Sequence, residues 1–276
     1  MKPQRDVPLT TQVCMTFGGF LNQFGWAFFG FGLIFARIFI PMADLSFASF
    51  SGELKEIQAE VTEVMGTNLS VNESTVMEIQ YHFFDEKGEE YWGFSYKTGS
   101  TPRSGEKVTV EYPKGDPSTS RIQGLRNKPM PALSLLVLLF PLIGLVMLIF
   151  GFRKTKKVLP LLSLGTLTKG KLVNKERTNT KINEQTVYKF TFEFQDRMGQ
   201  IHKVSEKTHE THLLEDDVEE PLLYLEDDPS RATLLDALPS SPQFDEGGRI
   251  IPASTQKTLK LLLIPMIVII GHGLWH

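Results

Sequence analysis

Cysteine is almost missing from this chain of 276 residues: Cys14 is the single one, and it lies inside an apolar run. That excludes an intramolecular disulfide and a cysteine-based metal site. Charge imbalance is missing too. Lys and Arg number 29, Asp and Glu 32, for a net charge of -3, so no basic field points to nucleic acid and no such partner is expected. The chain has no Gly-rich phosphate loop, no Gly-x-Ser-x-Gly elbow and no dinucleotide fingerprint. No nucleophile–base pair is readable, so the chain reads as non-enzymatic, with no catalytic, cofactor-binding or metal residue assigned. His209-Glu210-Thr211-His212 lacks the zincin spacing and reads as surface. His82, within an aromatic run, reads as structural. The acidic residues Glu215, Asp216, Asp217, Glu219, Glu220, Glu226, Asp227 and Asp228 lack the ligand spacing and Gly of an EF-hand. They read as a solvated loop that anionic lipid would repel.

Long apolar runs are what the chain does have. The mean hydropathy of -0.10 averages them with very polar segments. Pro131–Phe152 carries no charge and is followed by Arg153-Lys154-Thr155-Lys156-Lys157. A bilayer core takes about 20 apolar residues in helix, and flanking Lys and Arg resist translocation. Val13–Ala36 is a second charge-free run, too long for a cleaved signal peptide, and is expected to be an uncleaved signal anchor. Arg37 at its far end is placed to snorkel. Gly18, Gly25 and Gly32 recur every seven residues, which puts them on one helix face near Asn22 and Ala36. Small residues let helices approach, so this face is expected to pack on the other spans or in a homo-oligomer. A third run, Leu261–Trp275, is shorter, with Lys260 and Trp275 as interface residues. The expected spans are residues 13–42, 131–152 and 257–276, after an N-terminal tail of residues 1–12.

Between the runs lie two polar segments, residues 43–128 and 158–248, both patterned as strands. In the first, Glu56–Met65, Val76–Phe84, Glu90–Tyr96 and Lys107–Tyr112 alternate or are rich in aromatic and branched residues, with a turn at Asp85–Gly88. In the second, Thr168–Glu176, Thr186–Phe194, Ile201–Ser205 and Pro221–Leu225 follow the same plan, and Ala232–Leu238 reads as a last strand or a short helix. Val158–Leu167 is too short to span and reads as interfacial or as the start of this module. Tyr81, Phe83, Asp85 and Gly88 align with Phe192, Phe194, Asp196 and Gly199, and Tyr112, Asp116, Pro117 and Ser118 with Tyr224, Asp228, Pro229 and Ser230. The pattern is that of an internal duplication. The fold class expected is an integral membrane protein with three transmembrane helices and two small duplicated all-β modules, barrel- or sandwich-like.

The aromatic strand, the Gly turn and the tyrosine strand running into Asp-Pro-Ser resemble a bacterial membrane-protein family catalogued as domain of unknown function 3592. The closest match is Tyr224–Pro239 (YLEDDPSRATLLDALP); the first module carries Tyr112–Ile122 (YPKGDPSTSRI) without the later Leu-Leu-Asp-Ala-Leu-Pro. The resemblance covers both modules and their flanking spans, as two tandem copies. It implies a β module held between hydrophobic helices in a bacterial cytoplasmic (inner) membrane. It carries no activity and no cofactor.

Lys2 and Arg5, the Arg153–Lys157 cluster, and Lys257 with Lys260 all favour the inside. Three spans satisfy them with the N-terminus inside, the first module outside and the second cytoplasmic. Arg121, Arg126 and Lys128 conflict with this, although long translocated segments obey the charge rule weakly. The function expected is that of a scaffold or accessory subunit in the lipid bilayer, binding protein partners through its modules. The alternative is an oligomeric transport or channel-type subunit using Asn22, Gln23, Arg37, Pro141 and Pro265.

Overall fold

The computed structural model describes residues 4–182, 184–215 and 219–274; Lys2, Asp216, Asp217 and Trp275, used in the readings above, lie outside the described residues. The chain divides into two compact units. One joins the residues up to Phe31 to those from Phe140 onward, and the other is Gly32–Leu139.

The first apolar run is not one helix. Helix α1 (Leu9–Phe17) and helix α2 (Phe20–Phe39) meet at a 66° bend. Its cause is Gly18-Gly19. Gly19 has φ +78°, which a side chain disfavours. A Cβ on Gly18 would stand 2.9 Å from the Pro239 ring. The first span expected as a continuous helix is thus a bent pair.

The middle run is longer than expected. A 3-10 turn, Ala132–Leu138, leads into helix α4 (Leu139–Leu164), numbered after the one-turn helix α3 (Ser46–Ser49). The helix that carries the expected span 131–152 does not stop at Phe152 but continues through the basic cluster, and Val158–Leu164, read above as interfacial or as the start of the second module, is part of it. Helical periodicity explains this. Gly151, Thr155, Val158 and Leu162 are buried along one face, while Arg153, Lys154, Lys156 and Lys157 have their side chains on the other faces. From Ala132 to Phe152 the run covers about 35 Å, close to a hydrocarbon core. Helix α5 (Thr255–Gly273) is capped by the Ser254 hydroxyl, which accepts from Lys257 N–H at 3.2 Å.

By length and composition, Ala132–Leu164 and Thr255–Gly273 could each cross a membrane, and the bent pair makes a third if it is one span. Their most apolar 18-residue windows have mean hydropathies of 2.9 and 1.2, with 11% and 17% of those residues buried.

Each polar segment forms one five-stranded antiparallel sheet. The first contains β1 (Leu54–Val71), β2 (Ser74–Phe84), β3 (Glu90–Thr98), β4 (Lys107–Pro113) and β5 (Arg121–Ile122), in the order β3-β2-β1-β4-β5. It curls until β3 meets the segment after β5 at Tyr96 and Arg126, so it is nearly a barrel rather than a sandwich. The second contains β6 (Thr166–Ile182), β7 (Gln185–Gln195), β8 (Ile201–Thr208), β9 (Glu219–Tyr224) and β10 (Ala232–Leu234), in the order β8-β7-β6-β9-β10. Of Ala232–Leu238, which reads as a last strand or a short helix, Ala232–Leu234 is strand and the remainder is turn. Strand for strand, the two orders are the same.

The registers correspond as well. β1 is irregular between Val61 and Glu63 and between Gly66 and Ser70; β6 is irregular between Leu172 and Asn174 and between Arg177 and Lys181. Within the second irregularity Thr67 Oγ1 donates to Val76 O, and Thr178 Oγ1 to Val187 O. Ile57 pairs with Val110 and Val110 with Ile122; Thr168 pairs with Leu222 and Leu222 with Leu234. Tyr81, Phe83 and Tyr112 fill the first core, and Phe192, Phe194 and Tyr224 the second.

Candidate functional site

The helices of the larger unit pack through glycine. A Cβ on Gly25 of α2 would lie 3.0 Å from the Leu148 side chain of α4, and one on Gly144 would fall 2.8 Å from the Gly25 carbonyl. Gly151 accommodates the Asn22 amide. Gly18 and Gly25, read above as a packing face, therefore meet Pro239 and α4 of the same chain, and Gly32 is buried. Gly144 and Gly151 of α4 also lie seven residues apart, the same spacing as Gly18 and Gly25. Gln23 Nε2 donates to Phe17 O at 2.6 Å and to Leu261 O at 3.0 Å, tying the bend to α5. Asn22 Nδ2 donates to Gly18 O at 3.2 Å. Two of the residues considered for a transport path are thus engaged in holding the bend.

Arg5 fastens the N-terminal segment to the far end of α4. Its guanidinium donates to Leu162 O at 2.9 Å and to Gly165 O, and lies over the Phe244 ring at 5.2 Å. Its backbone N–H donates to Ser163 O at 2.9 Å, and Ser163 Oγ returns a bond to Arg5 O at 3.1 Å. A cation at the carbonyl end of a helix satisfies acceptors that have no partner within the helix. Burial lowers the Arg5 pKa. Nearby, Met15, Val158, Leu161, Leu162, Leu223, Leu235 and Ile250 form one core joining α1, α4 and the second sheet.

Above that core lies a cavity of about 520 Å³. One side is the α1–α2 bend, Gly18 to Asn22. The other sides are α4 at Lys154 and Thr155, the end of β8 with Glu206, and the loop Asp236–Ser241. Lys154 Nζ stands 3.5 Å from Glu206. Thr155 Oγ1 donates to Met15 O at 2.8 Å, so its hydroxyl proton is used. Asn22 is 4% exposed, and its Oδ1 has no hydrogen-bond partner among the described residues. Ser240 and Ser241 hold φ of +72° and +39°, a conformation costly for side-chain-bearing residues. His209 lines the cavity, and His212 is exposed. Among the described residues no group of three or more His, Cys, Asp or Glu could hold a metal ion.

The equivalent region of the first sheet is closed. Ser95 aligns with Glu206 through pairing with Ile79 and Phe190 respectively. Ser95 is fully buried and accepts from Ile122 N–H at 2.8 Å, while Tyr81 OH lies 3.0 Å from Ser120 Oγ. Burial pushes the Tyr81 phenol up to about 12. Burial and a 2.7 Å bond to the Glu78 carboxylate raise the Tyr96 phenol as well.

Of the acidic residues read as a loop, Glu219 and Glu220 lie in β9, and Glu220 is 1% exposed. Glu215 pairs with Lys175 at 2.7 Å, and Glu226 with Arg197 at 3.0 Å. His82 stacks on Trp92 at 5.2 Å and bonds Glu90 at 2.9 Å on the outer face of the first sheet.

No protein-family model matches the chain, and neither any curated protein nor any solved structure does.

Proposed function

We propose that this chain is a non-enzymatic integral membrane protein of the cytoplasmic membrane, a scaffold or accessory subunit that holds one β module on each side of the bilayer. The observation that carries it is the segment Ala132–Leu164, α4 with its leading 3-10 turn: its most apolar 18-residue window has a mean hydropathy of 2.9, and only 11% of that window is buried. Leu142, Ile143, Leu145, Val146, Ile149 and Phe150 are each more than two-fifths exposed, a surface that suits lipid and not water.

The basic residues support an inside location for the second module. Arg5 bonds the end of α4 beyond its basic cluster, and Lys154 and Lys257 line one cavity, so the three positive segments meet at one end of the helices. In the first module, Arg121 is paired with Glu111 at 2.6 Å and covered by the Phe50 ring at 4.2 Å, which eases its conflict with the charge rule. The tandem use of one module agrees with the matching strand orders and registers, and the likeness to the 3592 family belongs to the same reading. For partner binding, the first sheet offers an outer face with Phe84, Trp92 and Phe94 at 53%, 53% and 44% exposure.

The test is in-cell photo-crosslinking from a probe amino acid at Trp92, with membranes washed in alkaline carbonate. The expected result is a carbonate-resistant chain carrying a protein adduct that a probe at Ser100 does not give. Loss of the chain to the wash sinks membrane insertion, and a monomer without adduct sinks the scaffold role.

A further inference from the structure

We infer that the outer face of the first sheet docks a basic polypeptide segment, one that presents Arg or Lys to Trp92, Phe94 and the carboxylates beside them; this rests on, and narrows, the partner-binding role proposed above. Alternation fixes the face. Tyr81 and Phe83 fill the first core, so Gln80, His82 and Phe84 of β2 are turned outward. The register carries the same face across the sheet. On β3, Trp92 stands opposite His82 and Phe94 opposite Gln80. On β1, Glu60 stands opposite His82 and Glu63 opposite Gln80. His82 stacks on Trp92 and meets the Phe84 ring edge-on at 6.0 Å, so the three rings form one aromatic patch.

Two features choose the occupant. The first is sign. Glu60, Glu63, Glu78 and Glu90 share this face, and β1, β2 and β3 place no Lys or Arg on it. Lys107 of β4, opposite Glu60, is one positive charge beside four negative ones. Glu78 accepts from Tyr96 OH and Glu90 bonds His82, whereas Glu60 and Glu63 have no ion-pair partner among the described residues. A cation over an aromatic ring and beside a carboxylate is held by both, and Arg and Lys stems pack on the ring faces. The same sign turns away nucleic acid and anionic lipid. The second feature is the other copy of the fold. Gln195, Lys203 and Ser205 hold the places of Phe84, Trp92 and Phe94, and Lys171 and Asn174 those of Glu60 and Glu63. There the polar groups satisfy one another: Lys203 pairs with Glu193 at 3.0 Å, and Thr191 Oγ1 lies 2.9 Å from Ser205 Oγ. The sheet is thus built without rings at these positions, and Trp92 and Phe94, 53% and 44% exposed, serve something outside the chain.

The test is the fluorescence anisotropy of a dye-labelled peptide of alternating Arg and Ser, titrated with the full chain in a non-ionic detergent; a peptide of alternating Gln and Ser is the control. The Arg peptide should saturate the wild-type chain, weaken steadily with added salt, and bind about tenfold more tightly than the Gln peptide. The double variant Glu60→Gln/Glu63→Gln and the single variant Trp92→Ala should each weaken it about tenfold, with melting temperatures kept because all three positions are exposed. Glu53→Gln, before β1 and paired with Lys114, should leave it unchanged. Equal binding of the two peptides, binding that resists salt, or no loss in either face variant overturns the inference; resistance to salt would make the rings a platform for a neutral partner such as a glycan. Sequencing the adduct from the Trp92 crosslink separates the two readings. A partner captured through a neutral or acidic segment leaves the scaffold role standing and this inference fallen.

Discussion

Tyr81 and Phe192 occupy one position in the two sheets, and only the tyrosine carries a hydroxyl into its core. That hydroxyl lies 3.0 Å from Ser120 Oγ. Tyr81→Phe leaves a buried serine short of a partner and should cost about 1 kcal/mol, read as a lower melting temperature of the full chain in detergent. Burial holds the Tyr81 pKa up to about 12, so the folded state keeps the phenol neutral when the unfolded state would ionise. The sign follows: this contribution is complete below about pH 10 and is lost as pH rises toward 12. Alkaline melts of wild type should fall over that window more steeply than those of Tyr81→Phe. Asp196 works at the acid end. The His202 imidazole, and after it the N–H groups of Gln200 and Met198, hold its pKa below the usual carboxylate value. Its contribution is present above about pH 4 and is lost on further acidification. Asp196→Asn should therefore flatten the melting-temperature fall below pH 4, and an unchanged profile would contradict it. Both residues were legible, as an aromatic in an alternating strand and as the first residue of an Asp–Gly turn. The hydroxyl's partners were not: Ser95 lies on the neighbouring strand β3 and Ser120 in the loop before β5, and no local pattern aims either of them at Tyr81.

At the scale of elements, the glycines and the helix ends decide the arrangement. Gly144→Val would drive a side chain into the α2 backbone and should destabilise the full chain by about 1–3 kcal/mol. Gly271→Val, with open space around it, should change the melting temperature little. Arg5→Met keeps the stem and removes the donors to Leu162 and Gly165, and should cost about 1–2 kcal/mol. Faster amide exchange at Gly165 and the last turn of α4 is the measurement. The strands could be read because period-two patterning and turn residues are local signals. The helix extension past Phe152 was hidden, since a basic cluster marks where lipid ends and says nothing about where a helix ends. Here Thr155, Val158 and Leu162 bury a face against α1 and the second sheet, and that partner lies far away in sequence. The bend at Gly18-Gly19 was hidden because the two glycines lie inside an unbroken apolar run, and glycine is common in membrane helices.

For the whole molecule, the claim is that a single pass of Pro131–Phe152 separates two copies of one module. The cavity was the least legible feature. It is assembled from α1, α2, α4, β8 and the loop before α5, and no one of these carries a motif. The most direct test places single cysteines at Ser100 and Asn179, both exposed, after Cys14→Ser removes the one native thiol. Intact cells are treated with a membrane-impermeant thiol reagent, and broken cells serve as the control for reactivity. The account predicts that Ser100→Cys is labelled in intact cells while Asn179→Cys is labelled only after lysis. Equal labelling of both in intact cells, or protection of both, would put the two modules on one side and contradict it.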